Sequence, residues 1–232
     1  MSLAKRWTGV VLSLVASVGS ILCGSEAQAG VLLADSFTYP DGDLSGNGGW
    51  SNPVAQSLQV VGGKVKVGVG NREFLGERVF SRAGVLGEIF LAEIDALTPT
   101  SNSVFSIIDS AGRQIVGWTY IGASGWKILG DQTSIQGSAK LSLEINPNNG
   151  TVVGRLFDSL TNGLLYQSSV LALNASLVDS PTVNLYSDSR AVASTTTFDN
   201  LNITTLSAAV PEPASILCFA TLVVIPLTRR RT

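Results

Sequence analysis

Histidine is missing altogether from these 232 residues. Its absence excludes His-based triads, the commonest general base and most zinc sites. Cysteine occurs only twice, as Cys23 and Cys218, and both fall in the apolar runs near the two ends. The region between them therefore has neither a thiol nucleophile nor a disulfide, and its stability must come from core packing and sheet hydrogen bonds. Charge is scarce at 14% of residues, 15 Lys and Arg against 17 Asp and Glu. Without Lys5, Arg6, Glu26, Glu212 and three terminal arginines, the centre carries about −5. No basic patch suits a nucleic acid, so none is expected as a partner. Any catalysis would rest on carboxylates, hydroxyls, lysine or bound calcium, and no cofactor is implied.

The long apolar runs lie at the ends. Lys5 and Arg6 precede an uncharged stretch over 7–22, and Ala27-Gln28-Ala29 supplies a small-x-small cleavage pattern. Signal peptidase is expected to read Ala27 and Ala29, giving a mature start near Gly30. Leu22 is too large to precede a lipidated Cys23. At the other end, the run over 214–227 carries no charge. At about 1.5 Å per residue it spans roughly 20 Å as a helix, against a hydrocarbon core of about 30 Å. Arginine snorkelling and local thinning cover part of that gap. Arg229, Arg230 and Arg231 follow as a basic stop on the cytoplasmic side, leaving Pro211, Glu212 and Pro213 outside. The predicted organisation is a signal peptide over 1–29, a domain over 30–206, and a terminal segment over 207–232 with a single transmembrane helix.

Val-Pro-Glu-Pro-Ala at 210–214, a short apolar helix and an arginine cluster at the extreme end follow one another in order. This arrangement resembles the PEP-CTERM sorting signal of exopolysaccharide-producing Gram-negative bacteria, over about the last tenth of the chain. The resemblance implies recognition by an exosortase, a membrane-embedded cysteine protease or transpeptidase, with cleavage near the motif. The nucleophile belongs to that enzyme. Pro211, Glu212 and Pro213 are read as its substrate: two fixed φ angles keep the segment extended, and one carboxylate marks the outer interface.

Between the ends, strand signals dominate and helical periodicity is nearly absent. Runs over 54–61 and 64–69 are joined by Gly62-Gly63, a hairpin signature. The stretch 88–97 reads as a long buried central strand with apolar residues on both faces. Further strands are predicted over 103–109, 114–121 and 126–129. Leu141, Leu143 and Ile145 alternate with Ser142 and Glu144, a strand with one wet face. A turn at 146–150 leads into 151–158, another at 161–163 into 164–173, and runs over 183–187 and 195–205 complete the set. A short helix is expected over 174–178. Some ten strands at this spacing, with many Gly and Asn turns, predict an all-β fold, an antiparallel β-sandwich.

Two local patterns sharpen that class. The opening Asp35-Ser36-Phe37-Thr38-Tyr39-Pro40-Asp41-Gly42, running on to Gly46-Asn47-Gly48-Gly49-Trp50, resembles the start of concanavalin A-like (laminin G-like) jelly-roll domains. Phe198-Asp199-Asn200-Leu201-Asn202-Ile203 resembles their closing strand. The resemblance implies that the first and last strands lie side by side.

Three groups of residues bear on chemistry. Retaining glucanases with this jelly roll carry Glu-x-Asp-x-x-Glu on a central strand, and Glu93-Ile94-Asp95 matches its first part. Residues two apart share a strand face, and retaining chemistry needs its two principal carboxyls about 5 Å apart. Here the third position is Thr98, followed by Pro99, so no proton donor serves the leaving oxygen and no catalytic residue is assigned. Trp118 and Tyr120 fall on one strand face with Trp126 after a short turn. They are either a ring platform for a sugar or core and cross-strand pairing. Asp41 and Asp43, with Asn47, form either a calcium site or an ordinary Asp-Gly turn. Sequon-like triplets begin at Asn149, Asn174 and Asn202, where a bacterial setting makes chance the better explanation.

The expectation is an exported, non-catalytic protein, membrane-anchored by its C-terminal helix before sorting, then at the cell surface or in the extracellular matrix with exopolysaccharide. A lectin-like module using the Trp118/Tyr120 face is the alternative, and a glycoside hydrolase stands third.

Overall fold

Alternation of core and solvent side chains with a period of two marks Ile89–Leu97 and most of Thr151–Asp158, whereas Ser103–Ile108 and Gln114–Tyr120 bury runs of consecutive residues. The computed structural model describes residues 30–52, 56–66, 73–80, 88–100, 102–175, 181–188 and 195–206. These fall in one compact unit, Ala29–Leu206. The predicted signal peptide and sorting segment lie outside the described residues, as does most of the short helix expected over 174–178. Among the described residues no helix is long and apolar enough to cross a membrane.

The strands in chain order are β1 (Val31–Asp35), β2 (Gly42–Asp43), β3 (Gln56–Ser57), β4 (Gln59–Val60), β5 (Val65–Lys66) and β6 (Glu73–Val79). Next come β7 (Ile89–Leu97), β8 (Ser103–Ile108), β9 (Gln114–Tyr120), β10 (Trp126–Ile128), β11 (Asp131–Gln132) and β12 (Ala139–Asn146). The last are β13 (Thr151–Asp158), β14 (Leu164–Gln167), β15 (Leu171–Ala172), β16 (Thr182–Asp188) and β17 (Thr197–Leu206). Ten form one sheet in the order β14-β13-β12-β7-β17-β5-β4-β2, with β1 also on β17 and β15 on β13. Seven form the other, β11-β10-β9-β8-β16-β6-β3. Pairing is antiparallel except between β3 and β6. The strands exceed the expected ten because six of them, β2, β3, β4, β5, β11 and β15, are two-residue ladders rather than long runs.

The hairpins fall where the turn residues place them. β4 and β5 pair across Gly62 and Gly63, both at positive φ, a conformation glycine adopts without steric penalty. β8 pairs β9, β12 pairs β13, and β1 lies against β17 as the closing-strand resemblance implies. β7 is central, between β12 and β17. It differs from the expected doubly buried strand: Phe90, Ala92, Ile94 and Ala96 are buried, while Leu91, Glu93, Asp95 and Leu97 turn outward and are only partly covered.

The core lies between the sheets. Phe105, Trp118 and Leu185 from the seven-stranded sheet and Ile94, Leu141, Leu143 and Ile203 from the ten-stranded sheet are all fully buried. Each such side chain contributes about 1.5–3 kcal/mol on leaving water. The sheets approach closely enough that Gly154 on β13 has no room for a side chain: a Cβ there would lie 2.4 Å from Ile128 Cδ1 and 2.7 Å from Trp118 Cζ2.

One polar knot sits beside this core at the end of β1. The Asp35 carboxylate accepts from the Phe37 amide at 2.8 Å, the Tyr39 hydroxyl at 2.7 Å and Trp50 Nε1 at 2.8 Å. Arg78 from β6 completes it with an ion pair at 2.5 Å. The opening motif is thus a clasp that joins the entry loop to both sheets. Burial, and after it the bond to Asp35, pushes the Tyr39 phenol above its usual range.

Candidate functional site

Trp118 and Trp126 are fully buried and Tyr120 is 7% exposed, so the predicted ring platform is a correction: these residues are core. Trp118 stands opposite Phe105, and both face the partner sheet. Trp118 Nε1 donates to the Ser142 carbonyl at 3.1 Å, and Trp126 Nε1 to the Gly137 carbonyl at 3.1 Å. The rings pack edge-on, Tyr120 with Trp126 and Trp118 with Tyr166. Trp118 and Tyr120 do share a strand face, but that face points inward.

Asp41 and Asp43 serve the first hairpin. Asp41 Oδ1 accepts from the Gly62 amide at 2.8 Å, and Asp43 Oδ1 accepts from Gln59 Nε2. Asn47 Nδ2 donates to the Asp43 carbonyl at 2.7 Å. Among the described residues no three acidic, cysteine or histidine side chains converge as metal ligands would. The Asp-Gly turn is the reading that these bonds fit.

Glu93 and Asp95 do face a cleft. They stand on the outward side of β7 and line a hollow of about 370 Å³. The β12 neighbour of Asp95 is Lys140, and the β17 neighbour of Glu93 is Asn202. Ser159 and Asn162, from the turn after β13, close one end of the hollow, and Asn200 joins its wall. Thr98, at the position where a glucanase acid would stand, donates its hydroxyl to the Thr195 carbonyl at 2.7 Å.

A β-bulge builds this wall. Between Asp199 and Asn202 the register of β17 on β7 shifts, and Asn200 takes φ 52°. Asparagine tolerates that left-handed conformation better than most residues. Bulges of this kind re-aim side chains beside functional sites. Here the Asn200 amide swings over β7 and donates to Asp95 Oδ2 at 2.8 Å. Asp199 is held on the far side by Lys64 at 3.0 Å.

Asp95 is therefore partly occupied, but its neighbours are not. Among the described residues the side chains of Glu93, Lys140 and Asn202 make no internal hydrogen bond or ion pair. The hollow thus presents a carboxylate, an ammonium and an amide to solvent, with more amide and hydroxyl groups at its rim. Such a mixture offers donors and acceptors in one small space.

Spacing along one strand pairs Glu93 with Asp95, but no local pattern names Lys140, Asn200, Asn202, Ser159 or Asn162 as their companions. One signal was available for the bulge. Buried residues of β17 fall at Phe198, then three later at Leu201, then two later at Ile203. A strand that breaks its period by one residue contains an insertion.

No protein-family model matches the chain, and no curated protein matches it. Solved structures do resemble it. The CBM2 module of Lactobacillus casei BL23 phage J-1 evolved Dit matches with TM-score 0.55 and 9% identity, over 79% of this chain and 99% of that one. Peanut lectin matches with TM-score 0.51 and 12% identity, over 78% of this chain and 98% of that one. A sialidase matches with TM-score 0.46 and 8% identity; 78% of this chain covers only 19% of its length. The chain has the all-β, two-sheet sandwich of lectin-like jelly rolls.

Proposed function

We propose that the chain is an exported carbohydrate-binding protein whose sandwich holds a glycan in the Glu93 cleft. The observation that carries this reading is the convergence of Glu93, Lys140 and Asn202, none of them internally bonded among the described residues, in one open hollow. Sugar hydroxyls donate to carboxylates and accept from ammonium and amide groups, so the hollow complements them without a ring to stack on. Two fold neighbours named as a CBM2 module and a lectin support the class. The Trp118/Tyr120 face plays no part in it.

Delivery forms the second half of the proposal. Pro211-Glu212-Pro213, the apolar run and Arg229–Arg231 support sorting by an exosortase to the cell surface or extracellular matrix. The role there is non-catalytic, because Thr98 supplies no proton to a leaving oxygen.

A glycan array probed with the full chain tests the first half. Glu93→Gln and Asn202→Ala are each expected to weaken binding about tenfold, the loss of roughly one hydrogen bond to a charged or amide group. An array with no bound sugar overturns the reading. For the second half, replacing the three terminal arginines by glutamate should abolish surface delivery; unchanged delivery defeats it. Reducing sugar released from β-glucans, and lost in Glu93→Ala, would make the protein a hydrolase instead.

A further inference from the structure

A second hollow, of about 310 Å³, opens on the opposite flank of β17. Ala34, Asp35 and Ser36 line it from the end of β1, and Asn200, Leu201 and Asn202 from β17. Asn200 and Asn202 thus belong to both hollows. The bulge explains how one strand serves two sides. Asn200 bends outward at positive φ, Leu201 drops into the core opposite Asp35, and Asn202 returns to the outer face.

The two hollows differ in chemistry. The first is bounded by the Glu93 and Asp95 carboxylates and Lys140. In the second, Asp35 already accepts four bonds, so the available groups are the exposed Ser36 and Ala34 and the shared amides. Each volume lies at the small end of the roughly 300–1,000 Å³ typical of ligand sites. An amide carries two donors and an acceptor with two lone pairs, so one side chain can reach groups on either side of itself.

Resting on the carbohydrate reading above, we propose that the two hollows form one trough for an internal stretch of glycan chain. Consecutive sugars lie on either side of Asn200 and Asn202, so the protein reads chain rather than a single terminal sugar. The first sugar is held by Glu93, Lys140 and Asn202, and the next rests against Ala34 and Ser36.

Calorimetric titration of the full chain with neutral gluco-, manno-, galacto- and amino-sugar oligosaccharides, from each monosaccharide upward, tests this. Affinity should rise about tenfold or more from monosaccharide to short oligomer. Ser36→Trp, which fills the second hollow from an exposed position, should remove that gain and leave monosaccharide affinity unchanged, while Ser36→Ala keeps most of it. Should Ser36→Trp lose its native circular dichroism, Ala34→Gln crowds the same hollow and takes its place. A monosaccharide bound as tightly as its oligomers overturns the trough, as does a folded hollow-filling variant with undiminished oligomer binding. If no sugar in the series binds at all, it is the carbohydrate reading itself that fails.

Discussion

At the scale of single residues, Asp35 is the most consequential side chain in the domain. Its side chain is only 4% exposed, yet it gathers an amide, a phenol, an indole and a guanidinium. Removing one partner of a buried pair leaves the other charge and its donors uncompensated. Asp35→Ala is therefore expected to lose about 3–5 kcal/mol in urea unfolding, whereas Trp50→Phe, which surrenders one bond, loses about 1–3 kcal/mol. Equal small losses from both would show that the clasp is incidental. The sequence made this cluster visible only as a likeness between motifs. Asp35, Tyr39 and Trp50 are within fifteen residues of one another, but Arg78 arrives from β6 and no local pattern names it. The same limit applied to Trp118 and Tyr120: alternation puts them on one face, and only the partner sheet decides that the face is inside.

Among the elements, the turns carry a testable pH response. Asp109 after β8 accepts from the Arg113 amide at 2.8 Å, the Ala111 amide at 2.9 Å and Arg113 Nε at 2.7 Å. The Arg113 amide foremost holds that carboxyl below the usual aspartate range. Asp158, closing β13, accepts from the Thr161 amide at 2.7 Å, the Thr161 hydroxyl at 2.9 Å and the Leu160 amide at 3.0 Å. The Thr161 amide is the chief reason that its carboxyl is also held low. A carboxyl depressed on folding stabilises fully above its unfolded pKa, about 4, and that contribution is lost as pH falls below it. Stability followed by tryptophan fluorescence should decline in acid below about pH 4. Asp109→Asn and Asp158→Asn should each flatten the decline, and an unchanged slope in both would remove these turns as its source. Hairpins of this kind were legible in advance, since Asn, Asp and Gly fix a turn locally. The bulge in β17 leaves only a trace in the sequence, the three-residue step from Phe198 to Leu201, and it takes the pairing with β7 to show which residues the shift lies between and what Asn200 then faces.

For the whole molecule, charge sets what can approach. The chain carries a net −2 with a pI near 5.1, and the Glu93 cleft places two carboxylates against one ammonium. Oligouronates should bind at least about tenfold more weakly than neutral oligomers of equal length at low ionic strength. The difference should shrink as salt screens the exposed charges. Calorimetry across a salt series measures it, and uronates bound as tightly as neutral chains at low salt would contradict it.

The position of β17 has a mechanical consequence. It has β7 along one flank and β1 and β5 along the other, and its last residue, Leu206, still pairs with Ile89. A pull applied at Leu206 along the strand axis meets ladder bonds that lie across it. The rungs to β7 and β1 are then strained together rather than parted one by one. Asn200 and Asn202 ride on this same strand, so drag on a polymer held in the proposed trough would load the β17 backbone directly, in the strand that β7 and β1 brace on its two flanks.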